Sequence, residues 1–209
     1  MKSKAKIMSI VGARPQFIKL APLAERLSGK LRHVIIHTGQ HYDKNMSDIF
    51  FRQLHIPGAS KNLGIGGGSH GIMTGRMLTA IEKTLISEKP QLVLVYGDTN
   101  TTLAASLAAA KLSIPVGHIE AGLRSFVSSM PEEINRRLTD HVSSILFCPT
   151  AKAMKNVRAE GIKHGLVRSG DLMYELLHKS KSVIKANTRL LRRYGLDPGT
   201  FVLLTVHRA

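Results

Sequence analysis

Short apolar runs and longer stretches of helical spacing alternate along the whole chain. The apolar runs fall at 5–11 (AKIMSIV), 32–37 (RHVIIH), 91–96 (QLVLVY), 115–119 (PVGHI), 144–148 (SILFC), 166–168 and 201–206 (FVLLTV). They are nearly continuous in apolar residues, as strands buried on both faces are. Between them, helical spacing covers 15–28, 44–53, 70–88, 100–112, 131–142, 150–160 and 171–194. Repeated strand-then-helix order predicts an α/β fold: a Rossmann-like, doubly wound parallel sheet with helices on both faces. Residues 1–170 read as one such domain, and 171–209 as a linking helix and the first strand of another. Over 130–147, Ile134, Leu138, Val142 and Ile145 are expected to form the core stripe, with Glu132, Asn135, Arg136 and Thr139 on the opposite face.

In sheets of this kind ligands bind beyond the carboxyl ends of the strands. Polar residues collect there four times in succession. Gly12 and Arg14 follow the first run, Gln40, His41 and Asp43 the second, Asp98 the third, and Glu120 and Arg124 the fourth, with His118 just before them. Each turn also has a structural explanation. Asp98 in "GDTNTT" can cap the next helix. Glu120, placed directly after an apolar run, needs a partner, and Arg124 or His118 could supply it. Glu132 stands four residues before Arg136, the spacing of a helical ion pair. Three separated carboxylates on one rim (Asp98, Glu120 and Glu132) point further, to proton-transfer chemistry.

Composition narrows the choice. The formal net charge is +16 over 209 residues, which favours anionic partners. The basic residues are dispersed, aromatics make up 5% and no zinc-finger or RNA-recognition signature occurs, so no nucleic-acid partner is expected. No apolar run approaches the roughly 18 residues of a membrane span, and the start lacks a secretory leader pattern. A single cysteine, Cys148, forbids an internal disulfide, and a cytoplasmic location is the expectation. No histidine spacing suits a metal, so no metal is expected. The glycine-rich loop 58–71 lacks the Lys-Ser/Thr of a P-loop.

The segments "GARPQFIKLAPL", "TGQHYDKNM", "YGDTNTTLAASLAA", "GHIEAGLRSF", "MPEEINRRLTDHVSSILFCPT", "GDLMYELL" and "LLTVHRA", in this order, resemble the non-hydrolysing UDP-N-acetylglucosamine 2-epimerases. The resemblance implies reversible conversion of UDP-GlcNAc to UDP-ManNAc by elimination of UDP and its re-addition, with no nicotinamide or other cofactor required. It places Asp98, Glu120, Glu132 and His207 in the catalytic set, and Arg14, Lys19, Arg136 and His118 at the substrate. Gln40 and His41 match a region linked in some members to an effector. It also implies a glycosyltransferase-B-type fold of two Rossmann-like domains and a homodimer. The sequence stops within the family's H-R-x-E-N motif, so the second domain is expected to be largely absent and turnover slight. A split-subunit nucleotide-sugar binding module is the alternative.

Overall fold

The computed structural model describes residues 4–40, 44–186, 189–197 and 199–206, apart from the side chains at 44–47, 185, 186 and 190. The strands are β1 (Lys6–Val11), β2 (Arg32–His37), β3 (Lys61–Asn62), β4 (Leu92–Tyr96), β5 (Val116–Ile119), β6 (Ile145–Cys148) and β7 (Leu166–Arg168). They form one seven-stranded sheet in the order β3-β2-β1-β4-β5-β6-β7, with every pairing parallel. The helices are α1 (Arg14–Leu27), α2 (Lys44–Gln53), α3 (His70–Glu88), α4 (Asn100–Lys111), α5 (Pro131–Val142), α6 (Ala151–Ala159), α7 (Leu172–Ala186) and α8 (Arg189–Arg193). The expected Rossmann-like α/β fold is present, and the strand order reverses between β1 and β4, where such sheets open a ligand crevice.

The apolar runs serve two cores at once. Met8, Ile10, Val34, Ile36, Val93 and Val95 pack beneath α3 and α4. Their alternate neighbours Val11, Ile35, Leu94 and Tyr96 pack with Phe17 and Leu20 of α1. Successive strand side chains point to opposite faces, so a strand covered on both sides is apolar at every position. α7 folds back on α1, held by Arg26–Glu175 at 2.6 Å and Lys179–Glu25 at 2.7 Å.

Three expectations need correction. Residues 201–206 form no strand: Val202 is 94% exposed and Leu203 85%, because no described strand lies alongside them. The loop 58–71 contains the short β3, which extends the sheet beyond β2.

The third correction concerns α5, which is turned the other way. Ile134 is 50% exposed and Leu138 46%, whereas Glu133, Asn135, Thr139 and Asp140 are buried. A buried polar face is tolerated when each group finds a partner. Asn135 donates to the Asp98 carbonyl at 2.9 Å and to Asn100 Oδ1 at 3.2 Å, and Thr139 lies 3.4 Å from Ser106 Oγ.

Candidate active site

The turn after β1 is built around Gln16. Its Oε1 accepts from the backbone N–H of Gly12 (2.7 Å) and Ala13 (3.0 Å), closing the start of α1. Its amide donates to the Tyr96 carbonyl at 2.9 Å and to Thr102 at 3.0 Å, tying that turn to the end of β4. A side chain at Gly12 would stand 2.0 Å from Thr38 Oγ1 and 2.4 Å from Thr101 Oγ1, so only glycine fits. Arg14 is exposed at the head of α1.

Gln40 accepts from Thr101 N–H (3.1 Å) and Thr101 Oγ1 (2.8 Å), so its carbonyl caps α4. His41 and His207 lie outside the described residues.

Asp98 does not cap α4. Thr99 does, its hydroxyl accepting from Thr102 N–H at 3.4 Å. The Asp98 carboxylate is instead ion-paired with Arg136 of α5. Arg136 also reaches Glu133 at 2.9 Å, so the helical ion pair joins Arg136 to Glu133 rather than to Glu132. Glu133 accepts from the Ser125 hydroxyl and N–H, both at 2.9 Å. Burial raises its pKa, but these bonds and Arg136 outweigh burial and hold the carboxyl below the usual range. Glu132 is exposed in the first turn of α5, where the helix N-terminus favours a carboxylate.

Glu120 finds its partner in neither Arg124 nor His118. Lys19 of α1 provides it, in a contact buried on the lysine side. Glu120 adopts a left-handed backbone with φ of 71°, rare for a side chain of this kind and often found at functional sites. A β carbon on Gly97 would lie 3.2 Å from Glu120 Oε2 and 3.3 Å from Lys19 Nζ. Asp98 is the next residue. Asp98, Glu120, Lys19 and Arg136 therefore form one constellation at the carboxyl ends of β4 and β5, with Glu132 on the adjoining helix turn.

His118 differs from expectation. It is fully buried beneath that constellation, with both ring nitrogens bonded inside the fold, so no nitrogen is left for a substrate. Arg124 holds Asp140 at 2.7 Å and Glu160 at 2.7 Å. Sequence reasoning missed Glu133 and Asp140, and it set Asn135 on the face away from the core; Glu133 and Asp140 stand seven residues apart, two helical turns, on what proves to be an inward face.

Among the described residues, no group of three or more His, Cys, Asp or Glu is placed to hold a metal ion, and no helix is long and apolar enough to cross a membrane. A concavity of about 580 Å³ lies off the sheet at β2 and α2, lined by residues that include His37, Asp48 and Arg52, and none of the acids above borders it.

A family model described as UDP-N-acetylglucosamine 2-epimerase matches residues 25–209. A protein of Methanococcus maripaludis named UDP-N-acetylglucosamine 2-epimerase homolog is 55% identical over 98% of this chain and 57% of its own length. A UDP-2,3-diacetamido-2,3-dideoxy-D-glucuronate 2-epimerase of Pseudomonas aeruginosa is 51% identical over 98% of this chain and 58% of its own. Among solved structures, the Methanocaldococcus jannaschii UDP-GlcNAc 2-epimerase in complex with UDP-GlcNAc and UDP superposes with a TM-score of 0.87. It shares 46% identity over 91% of this chain and 53% of that one. The chain thus spans a little over half the length of the relatives it matches.

Proposed function

Since this chain belongs to the UDP-N-acetylglucosamine 2-epimerase family, we propose that it carries the proton-transfer side of a UDP-GlcNAc to UDP-ManNAc epimerisation. In this reading a carboxylate among Asp98, Glu120 and Glu132 removes the C2 proton. The C2–H electron pair becomes the C1=C2 bond, and UDP departs with the C1–O pair. UDP then re-adds at C1 while a proton returns to the opposite face of C2. Arg14, Lys19, Arg136 and His207 meet the diphosphate, whose stabilisation as it leaves is a large part of the barrier lowering. The observation that supports the proposal is that Asp98 directly follows Gly97 and the Glu120 carboxylate lies beside Gly97, with Asp98 paired to Arg136 and Glu120 to Lys19.

The same reading makes 171–209 the connection into a second lobe, with the nucleotide between the lobes. It includes a homodimer and a cytoplasmic setting. Turnover by these 209 residues alone is then slight, because an open cleft loses orientation and stays wet. The test joins residues 1–209 to the remaining portion of the M. jannaschii relative and supplies UDP-GlcNAc in deuterated water. Proton NMR should show C2 exchange and UDP-ManNAc with the chimera, and neither with its Asp98→Asn form. A folded chimera that binds UDP-GlcNAc but leaves its C2 proton in place overturns the proposal.

A second reading has one observation behind it. Identity to the P. aeruginosa diacetamido-glucuronate epimerase is 51%, against 48% to the M. jannaschii UDP-N-acetylglucosamine 2-epimerase over the same share of this chain. A uronate adds a negative charge to the sugar, which a +16 chain would favour. Offering the chimera both nucleotide-sugars separates the two.

A further inference from the structure

We propose that His118 is a buried imidazolium that positions the three acids, acting beneath the site rather than on the substrate. Its Nε2 lies 2.7 Å from the Gly97 carbonyl oxygen. A carbonyl oxygen can only accept, so Nε2 carries a hydrogen. Its Nδ1 lies 2.7 Å from Asp140 Oδ1. The other Asp140 oxygen accepts from Gly122 N–H at 3.1 Å and from Arg124 at 2.7 Å. The Arg124 guanidinium against that oxygen favours the ionised carboxylate, and the Asp140 carboxyl is held below the usual range, so Nδ1 donates as well. Two donated hydrogens on one imidazole make it a cation.

The charged and titratable groups on the neighbouring elements are Asp140 on α5, Arg124 in the loop after β5, Glu160 at the end of α6 and the Cys148 thiol on β6. Arg124 is shared between Asp140 and Glu160, and Arg137 also reaches Glu160 at 3.6 Å. A protonated ring gives the fully buried Asp140 a cation of its own.

The positions of its partners give the ring a purpose. Gly97 immediately precedes Asp98, and it sits at the left-handed φ of 63° that turns the chain off β4. His118 lies on β5 two residues before Glu120, which turns off the end of that strand. Asp140 lies one helical turn beyond Arg136 on α5 and about two turns beyond Glu132. One ring therefore joins the three elements that carry Asp98, Glu120 and Glu132. His118 is a positioning residue, and this role rests on the epimerase reading, although its protonation state does not.

The experiment uses the 209-residue chain labelled with ¹⁵N-histidine, with His118 assigned by comparison with His118→Asn. At about pH 8 both ring nitrogens should carry slowly exchanging hydrogens. A ring with one protonated nitrogen at about pH 8 overturns the assignment whatever the chain's activity. In Asp140→Asn the ring should fall to a single proton at that pH, and retention of both overturns the pairing argument. In His118→Asn, amide resonances at 97–98, at 120 and across 132–136 should move more than those of the strand neighbours Leu146 and Phe147. Equal movement throughout reduces the ring to a packing role and overturns positioning. Failure of the chimera to epimerise, with these spectra as expected, would remove the epimerase reading and leave the imidazolium.

Discussion

Lys19 in the second turn of α1 is ion-paired with Glu120 at the tip of β5, although 101 residues separate them in the chain. The lysine side chain is only 8% exposed, so its charge depends on that carboxylate.

Lys19→Met should therefore destabilise the protein by about 2 kcal/mol, since an ion pair on a half-closed surface costs less to break than a fully buried one. Urea titration reads the loss. The double variant Lys19→Met/Glu120→Gln should recover a substantial part of it, and additive losses would mean that the pair is uncoupled.

Gly122→Ala should be far worse than Gly161→Ala. Both glycines have positive φ, 80° and 88°, but a β carbon at Gly122 would stand 2.4 Å from the Ala153 carbonyl oxygen while Gly161 faces open space. Conformation alone costs ~1 kcal/mol at each, and overpacking adds ~2 kcal/mol at Gly122. Thermal melting of the two variants side by side measures the difference.

Stability should fall steeply in acid. Burial raises the pKa of Asp140, but the bond and charge from His118, together with Arg124, outweigh it and leave the carboxyl lowered. Glu133 is lowered in the same sense, and at Glu160 the Arg124 bond dominates in lowering it. A carboxyl depressed in the folded state stabilises above its unfolded pKa, near 4, and that contribution is lost as pH falls through the folded value. Unfolding free energy measured in urea should be level from about pH 7 to about pH 5 as far as these groups are concerned, and then drop. Asp140→Asn should show a shallower drop.

Cys148 should be inert. It is fully buried, and burial is the main cause pushing its thiol up to about 11. A disulfide reagent at about pH 8 should label it only after denaturation, because the thiolate is the reacting form. Prompt labelling of the folded chain would contradict its place in the core.

Polar substitution on α5 should invert the usual rule. Leu138→Ser changes an exposed side chain and should cost under about 0.5 kcal/mol, whereas Asn135→Leu strands the Asp98 carbonyl and should cost ~2 kcal/mol. Chemical denaturation of both variants checks the order.

That inversion marks where reading the sequence stops. The strands other than β3 (Lys61–Asn62) were legible because they are short, mostly apolar runs, and the acids at 98 and 120 were legible because they sit at strand tips. The pattern Ile134, Leu138, Val142 correctly reports an amphipathic helix. It cannot say which face turns inward, because the inward face is satisfied by partners such as Asn100, Ser106 and His118 that lie far away in sequence. Lys19 as the partner of Glu120 had no local trace either, and the nearer candidates Arg124 and His118 were committed to Asp140. Residues 201–206 have the composition of a strand, but strandedness needs a neighbour to bond with.

Tyr96 and Ile119 are paired across β4 and β5, and the residues after them, Gly97 and Glu120, both swing into left-handed conformation, with Gly97 N–H bonded to the Ile119 carbonyl at 3.0 Å. Two adjacent chains thus peel away on the same rung. An insertion or deletion of one residue inside either strand would shift that departure point by about 3.3 Å and swap inner for outer faces. Strand length between Leu92 and Ile119 is accordingly the property this molecule can least afford to vary, while the loops on the opposite edge of the sheet are free to grow or shrink.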